Sequence, residues 1–245
     1  MIFLDRVHLH KEKFPTTDFY PFNLSLIQNT QEIAFDTPIT FFIGENGAGK
    51  STLLKAMAIR CGIHIWQSDF SLRYEQNPYE EDLYKAITVN WDQGPVPGSF
   101  FGSQIFTHFA RSLEEWAIND EKMLDYFGGK SLITQSHGQS LMAYFKARYK
   151  IRGIYFLDEP ETALSPSSLI KLLNLLIKMG RDGNAQFIIA THSPFLLACP
   201  GARIYSFDDH CVTPIQYRDT AYYKLYKSFM NHPETFIRDK GPDTP

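Results

Sequence analysis

The chain has 245 residues, of which 44% are hydrophobic and 15% aromatic, so it can bury a sizeable core and is not a disordered protein. Its 24 Lys and Arg against 27 Asp and Glu give a net charge of −3, which excludes a basic protein that holds nucleic acid or an anionic membrane by charge alone. The three cysteines lie far apart, and no apolar run resembles a signal peptide or a membrane span. We therefore expect a cytoplasmic chain with no membrane insertion.

The first 60 residues predict strands followed by a helix. Residues 6–10, 22–28 and 32–35 have strand-like patterns, and the continuous apolar run at 39–43 is typical of a buried strand. A glycine-rich segment follows, and after it residues 52–60 are good helix formers. The order is therefore strand, glycine loop, helix.

Residues 61–135 contain all three tryptophans and a Pro- and Gly-rich turn, and they lack the heptads of a coiled coil. We interpret them as an inserted lid between residues 1–60 and 136–245 of one continuous domain. In the last part we predict helices at 141–149, 166–179 and 220–230, and strands at 154–157, 187–190, 204–207 and 212–217. The expected fold is α/β, with a largely parallel sheet and an amino-terminal antiparallel β portion.

The glycine-rich segment fits the pattern GxxxxGK[ST] between a predicted strand and a predicted helix, which is the context of a phosphate-binding loop. Its backbone N–H groups would surround phosphate oxygens, Lys50 would neutralise the β- and γ-phosphates, and the Ser51 hydroxyl would ligate Mg²⁺. The candidate nucleotide-binding residues are Gly44, Glu45, Asn46, Gly47, Ala48, Gly49, Lys50, Ser51 and Thr52.

Two further predicted strands deliver polar side chains to the same edge of the sheet. Asp158 and Glu159 follow the strand at 154–157, where Asp158 could hold Mg²⁺ through water and Glu159 could act as a general base. His192 follows the strand at 187–190, where it could hydrogen-bond a γ-phosphate or orient a water.

The sequence SHGQS at 136–140 opens a predicted helix. Ser136 could be an ordinary helix cap. Alternatively, this helix end could meet a γ-phosphate that a second copy of the protein holds.

The ordered motifs, GENGAGKS, SHGQS, YFLDEPE and THS, resemble those of the ATP-binding-cassette (ABC) ATPases. Within that family the chain is similar to small, stand-alone bacterial proteins labelled AAA family ATPase. The resemblance implies that residues 44–52 are the Walker A loop, Asp158 and Glu159 the Walker B pair, and His192 the switch histidine. The signature residues, which would act across a head-to-tail dimer, are Ser136, Gly138 and Gln139.

The resemblance also implies a D-loop at 163–165 and a Q-loop glutamine at the metal site, for which Gln104 is the first candidate and Gln93 the second. Two residues depart from the pattern of the transporter ATPases. His137 replaces the first signature glycine, and Ser165 replaces a D-loop aspartate.

The expected function is an ATPase that binds MgATP, dimerises around it and hydrolyses it as a switch in DNA maintenance or phage defence. The effector partner is unknown. The net charge does not support a nucleic-acid partner, and the question of whether the chain binds nucleic acid stays open. Two alternatives remain: the motor subunit of a membrane transporter, and a sensing module that does not hydrolyse its nucleotide.

Overall fold

The structure is a computed structural model, and it describes residues 1–65, 77–118, 122–125, 127, 129–134 and 137–237. The strands are β1 (Leu4–Leu9), β2 (Glu32–Ala34), β3 (Ile39–Ile43), β4 (Ile87–Trp91), β5 (Gly98–Gly102), β6 (Gly153–Asp158), β7 (Ala185–Ala190), β8 (Arg203–Ser206) and β9 (Thr213–Pro214). The α-helices are α1 (Ser25–Asn29), α2 (Lys50–Arg60), α3 (Ser103–Ala117), α4 (Lys122–Asp125), α5 (His137–Arg148), α6 (Pro166–Arg181), α7 (Pro194–Leu197) and α8 (Ala221–Asn231).

Six strands form a central sheet in the order β5-β6-β7-β3-β8-β9. All neighbours are parallel except β9, which pairs antiparallel with β8. A second sheet, in the order β2-β1-β4, is antiparallel. This arrangement confirms the predicted α/β fold with a largely parallel sheet and an amino-terminal antiparallel portion.

The two faces of the central sheet belong to two hydrophobic cores, because successive side chains of a strand point to opposite faces. On β3, Phe41 joins the core that contains residues of α3, α5 and α6. Its neighbour Phe42 joins the core that contains residues of α2 and of the small antiparallel sheet. Helices and a second sheet thus cover the central sheet on both faces, which explains why β3 and β7 are buried along their whole length.

The helix α6 illustrates how the sequence encodes these layers. Ser165 caps its amino terminus by accepting a hydrogen bond from the backbone N–H of Ser168, and Pro166 occupies the first turn. The residues that α6 buries recur at helical spacing and include Leu169, Leu172 and Leu176.

A buried glutamine joins the small sheet to the central one. The side-chain oxygen of Gln186, on β7, accepts hydrogen bonds from the backbone N–H groups of Phe3 and Leu4, both at 2.8 Å. Its amide nitrogen donates to the carbonyl of Leu4 at 2.9 Å. Because Gln186 is fully buried, these bonds satisfy polar groups that water does not reach.

Two segments differ from the sequence-based expectation. The strand predicted at 22–28 is wrong, because residues 25–29 form α1, in which the consecutive residues Leu26 and Ile27 are both buried. Two buried neighbours do not fit the alternation of a strand with one buried face. Residues 61–135, which were predicted to form one inserted lid, contribute β4 to the antiparallel sheet and β5 to the edge of the central sheet. Among the residues of that segment that the structure describes, the first α-helix is α3, which begins at Ser103.

Across the residues that the structure covers, no helix has both the length and the apolar content needed to span a bilayer.

Candidate functional site

The loop from Gly44 to Gly49 connects the carboxyl end of β3 to the amino end of α2. Three of its glycines have positive φ angles, and two also lie against packed atoms. A Cβ on Gly44 would lie 2.9 Å from the Cβ of Phe207, and one on Gly49 would lie 2.9 Å from a methyl carbon of Leu24. The loop therefore requires glycine at both positions.

The side chain of Lys50 lies inside this loop and is only 5% exposed. Its Nζ donates hydrogen bonds to the carbonyls of Gly44 at 2.7 Å and Glu45 at 2.9 Å. Burial lowers the pKa of Lys50, while the nearby carboxylates of Glu159 and Asp208 oppose that shift. The loop thus encloses the ammonium group of Lys50, whose hydrogen-bond acceptors are two neutral carbonyls. An anionic ligand could take the place of these carbonyls as the acceptor.

The first turn of α2 meets the end of β6 through one hydrogen bond. The hydroxyl of Ser51 donates to Oδ1 of Asp158 at 2.7 Å, although the two residues are 107 positions apart in the sequence. Burial raises the pKa of Asp158, and the bond from Ser51 opposes this shift. A hydroxyl and a carboxylate oxygen at one point are the donors that Mg²⁺ prefers.

The residues Glu159 and His192 follow the adjacent strands β6 and β7. Glu159 has a left-handed backbone (φ 47°), which non-glycine residues adopt at a cost of about 1–3 kcal/mol. Its N–H donates to the carbonyl of Ala190 at 2.9 Å. The distance between its Oε1 and the Nε2 of His192 is 3.6 Å, so the two predicted catalytic side chains lie beside each other.

A second glutamate, Glu161, fixes the backbone of His192. One of its carboxylate oxygens accepts hydrogen bonds from the His192 N–H at 2.6 Å and the Thr191 hydroxyl at 2.8 Å. Burial raises the pKa of Glu161, and the N–H of His192 opposes that shift. Glu161 ends the YFLDEPE motif, but its role could not be predicted because a motif does not reveal which backbone group the carboxylate reaches.

The site also contains two residues, Asp208 and Tyr222, for which the sequence predicts no role. Asp208 accepts a hydrogen bond from the N–H of Glu45 at 2.8 Å and so ties the end of β8 to the loop. Tyr222, on α8, donates its hydroxyl proton to the carbonyl of Gly44 at 3.0 Å and lies 2.6 Å from Nδ1 of His192. Both residues come from the last forty positions of the chain. The family resemblance extends to the segment that ends at Asp208, but it implies no role for either residue.

The glutamine candidates can be compared by their position along β5. Gly102, the last residue of β5, pairs with Asp158, and Gln104 stands two residues later in the first turn of α3. Gln93 precedes β5 and is therefore at the opposite end of that strand from Asp158. The backbone favours Gln104, whose side chain lies outside the described part of the structure.

The predicted signature falls at the beginning of α5. Gly138 and Gln139 belong to the first turn of that helix, while Ser136 lies outside the described residues. The structure brings the loop at 44–52, the acids Asp158 and Glu159, and His192 together within one chain.

Comparisons with known proteins find similarity to AAA domains and to ATP-binding proteins. A family model described as “AAA domain, putative AbiEii toxin, Type IV TA system” matches residues 139–198, and one described as “AAA domain” matches residues 19–62. The thiamine import ATP-binding protein ThiQ of Haemophilus influenzae is 26% identical over 206 residues, which cover 79% of this chain and 88% of ThiQ. The OLD nuclease of Thermus scotoductus is 40% identical over 65 residues, or 26% of this chain and 12% of that protein.

Among solved structures, that of cbiO1 from Clostridium perfringens, part of the ABC transporter complex cbiONQ, has a TM-score of 0.49 and 16% identity. The superposition covers 94% of this chain and 97% of cbiO1. The ordered motifs, the matched family models and the sequence relatives support an ABC-type P-loop ATPase.

Proposed function

We propose that the loop at 44–52 binds the triphosphate of ATP and that the acids at the end of β6 promote its hydrolysis. The observation that carries this proposal is the 2.7 Å hydrogen bond between Ser51 and Asp158, because it joins the loop to the acidic strand end. Lys50 is buried within the same loop and would exchange its two carbonyl partners for β- and γ-phosphate oxygens. The backbone N–H groups at the start of α2 would complete the anion site.

The donor set also suits a magnesium ion. Ser51 and Asp158 would hold Mg²⁺, Asp158 through water, and Gln104 is the candidate that links the metal to the helices after β5. When bound, Mg²⁺ neutralises charge on the phosphate oxygens.

For the reaction itself we assign Glu159 as the general base, with His192 beside it. The carboxylate would take a proton from a water whose oxygen bonds to the γ-phosphorus, while the bond to the bridging oxygen breaks and ADP leaves with its electron pair. The 3.6 Å separation of Glu159 and His192 allows both side chains to contact one water.

We further propose that ATP closes a head-to-tail dimer. The first turn of α5, which contains Gly138 and Gln139, would present its N–H groups to a γ-phosphate that the other copy holds. Glu159→Gln should bind MgATP without hydrolysing it, so light scattering should report a mass twice that of the 28.2 kDa monomer.

The same measurement tests the role of the signature. Ser136→Arg should remain monomeric in MgATP yet bind the nucleotide with unchanged affinity. Dimers of Ser136→Arg that form as readily as those of Glu159→Gln would refute the cross-subunit contact. Loss of nucleotide binding by Ser136→Arg would instead place Ser136 in the site of its own chain.

The biological setting that we propose is DNA maintenance or phage defence. Its support is the AbiEii wording of the family model that matches residues 139–198 and the similarity to the OLD nuclease. Phage should form fewer plaques on cells that express the wild-type chain with its neighbouring genes than on cells that express Lys50→Ala with the same genes. Equal plaque counts across a broad phage panel would contradict this setting, whatever the ATPase activity.

A second candidate function is the motor subunit of a transporter, which the similarity to ThiQ favours. In that case the Glu159→Gln variant should co-purify with a membrane protein from detergent extracts in the presence of MgATP. Capture of DNA-processing proteins, and of no membrane protein, would favour the first candidate.

A further inference from the structure

The hydroxyl of Tyr222 joins two parts of the nucleotide site that are far apart in sequence. It donates to the carbonyl of Gly44, in the phosphate loop, and lies 2.6 Å from Nδ1 of His192. The ring of Tyr222 also meets the imidazole edge-on, with the centroids 5.5 Å apart. These contacts attach α8, which has no fully buried residue, to the phosphate loop and to the end of β7.

The direction of these hydrogen bonds determines which imidazole nitrogen carries the proton. A phenol has one O–H, and Tyr222 directs it to the carbonyl of Gly44. Toward His192 the Tyr222 oxygen can therefore only accept, so Nδ1 must be the protonated nitrogen. In the neutral imidazole this leaves Nε2 without a proton.

The neutral form is the one that the surroundings favour. Burial lowers the pKa of His192, and the positive charge of Lys50 lowers it further, while the carboxylates of Glu159, Glu45 and Asp208 oppose these effects. Within the described part of the chain Nε2 has no hydrogen-bond partner, and its nearest acidic oxygen is that of Glu159. The unprotonated nitrogen thus faces the side of the site where Glu159 lies.

We propose that Tyr222 is a positioning residue that holds His192 as the Nδ1–H tautomer, so that Nε2 accepts a hydrogen bond from the water that Glu159 activates. The inference rests on the proposed function for the identity of that water, whereas the tautomer itself does not depend on it. In this role the neutral histidine orients the water and does not donate a proton to the γ-phosphate from Nε2. The proton of the water goes to Glu159.

The second partner of Tyr222 links this arrangement to nucleotide binding. The carbonyl of Gly44 accepts from both Lys50 and Tyr222. When Lys50 turns to the phosphates, Tyr222 is the donor that remains on this carbonyl, so the loop and His192 stay connected through one hydroxyl. The tyrosine thereby keeps Nε2 in place at the stage where the water must be held.

The tautomer can be measured without nucleotide by ¹⁵N NMR of histidine-labelled protein, because protonated and unprotonated ring nitrogens have widely separated chemical shifts. His192→Gln identifies the His192 signals. In the wild-type protein we expect protonated Nδ1 and unprotonated Nε2. A wild-type spectrum with protonated Nε2 and unprotonated Nδ1 would overturn the proposal without any tyrosine variant.

Tyr222→Phe keeps the ring and removes the hydroxyl, so Nδ1 loses its acceptor and we expect Nε2 to become the protonated nitrogen. The matched control is Tyr226→Phe on the same helix, whose side chain is 48% exposed and which should leave the His192 signals unchanged. An unchanged tautomer in a folded Tyr222→Phe protein would contradict the proposal.

Kinetics separate positioning from binding. Tyr222→Phe should lower kcat by about tenfold with little change in KM for MgATP, because the variant misplaces the water and leaves the phosphate contacts. An unchanged kcat would contradict the role in positioning the water. If Glu159→Gln hydrolyses ATP normally while the wild-type tautomer is Nδ1–H, the general-base assignment fails and the tautomer assignment stands.

Discussion

Lys50 lies at the centre of the phosphate loop, and its contacts predict a specific effect on nucleotide binding. Lys50→Ala removes a cation that would form charge-assisted hydrogen bonds with two phosphates, so affinity for MgATP should fall by about 100-fold or more. Isothermal titration calorimetry measures this directly. The control is Lys171→Ala, an exposed position on α6, which should bind like the wild type. Wild-type affinity in Lys50→Ala would mean that the loop is not the phosphate site.

The raised pKa of Glu161 makes the free energy of unfolding depend on pH. Burial raises the pKa of its carboxyl above the ordinary value of 4.5. The folded state therefore binds the proton more tightly than the unfolded state, and this contribution to stability is lost as pH rises through the raised pKa. Glu161→Gln removes the buried charge and keeps an oxygen for the Thr191 and His192 donors.

The melting temperature of Glu161→Gln should therefore exceed that of the wild type at neutral pH, and the difference should shrink below pH 4.5. Thermal unfolding of the nucleotide-free proteins across that range measures it. Asp92→Asn, at an exposed position, serves as the control. A difference that does not vary with pH would contradict the buried-charge explanation.

Among individual residues, the sequence predicts those whose chemistry depends on a short motif. Lys50 and Ser51 follow from the spacing of the glycine loop, and Asp158 follows from a buried strand that ends in acids. Tyr222 and Asp208 could not be predicted, because each acts through a contact with a residue more than 160 positions away. Such contacts depend on how the chain packs, and no sequence pattern assigns a role to either residue.

At the level of secondary-structure elements, the hydrogen bonds of Gln186 connect β7 to β1 and should contribute to the free energy of unfolding. Gln186→Ala would leave two backbone N–H groups and one carbonyl without partners in a buried place, which should lower the free energy of unfolding by about 3 kcal/mol. Urea denaturation provides the measurement. Gln216→Ala, at an exposed position, should change stability by less than about 0.5 kcal/mol. A similarly small change in Gln186→Ala would mean that the small sheet does not depend on this side chain.

Elements with strong periodicity or long apolar runs were predictable, as β3, α2 and α6 demonstrate. The segment that forms α1 was not, because its five residues include only two buried apolar side chains, Leu26 and Ile27, which are too few to define a helical period. Strand β5 was also missed. Its sequence GSFFG is short and flanked by glycine, and it becomes a strand because β6 provides a parallel partner along all five residues.

For the whole molecule, the order of strands and helices along the chain was sufficient to predict the fold class. A parallel pair needs a crossover connection, and the alternation after residue 136 supplies one between β6 and β7 through α6. The strand order β6-β7-β3 then brings the phosphate loop, the acids and His192 to one edge of the sheet. This is why motifs that are separated by more than 100 residues could be assigned to one site from sequence.

The central claim is that the Lys50 loop and the acids after β6 act on the same triphosphate, and turnover by Glu159→Gln tests it most directly. The measurement is release of phosphate from saturating MgATP, with bound nucleotide quantified in the same sample. We predict full binding and a rate that is lower than that of the wild type by about 100-fold or more, because the general base is absent. A variant that binds ATP and hydrolyses it at the wild-type rate would contradict this account of the site.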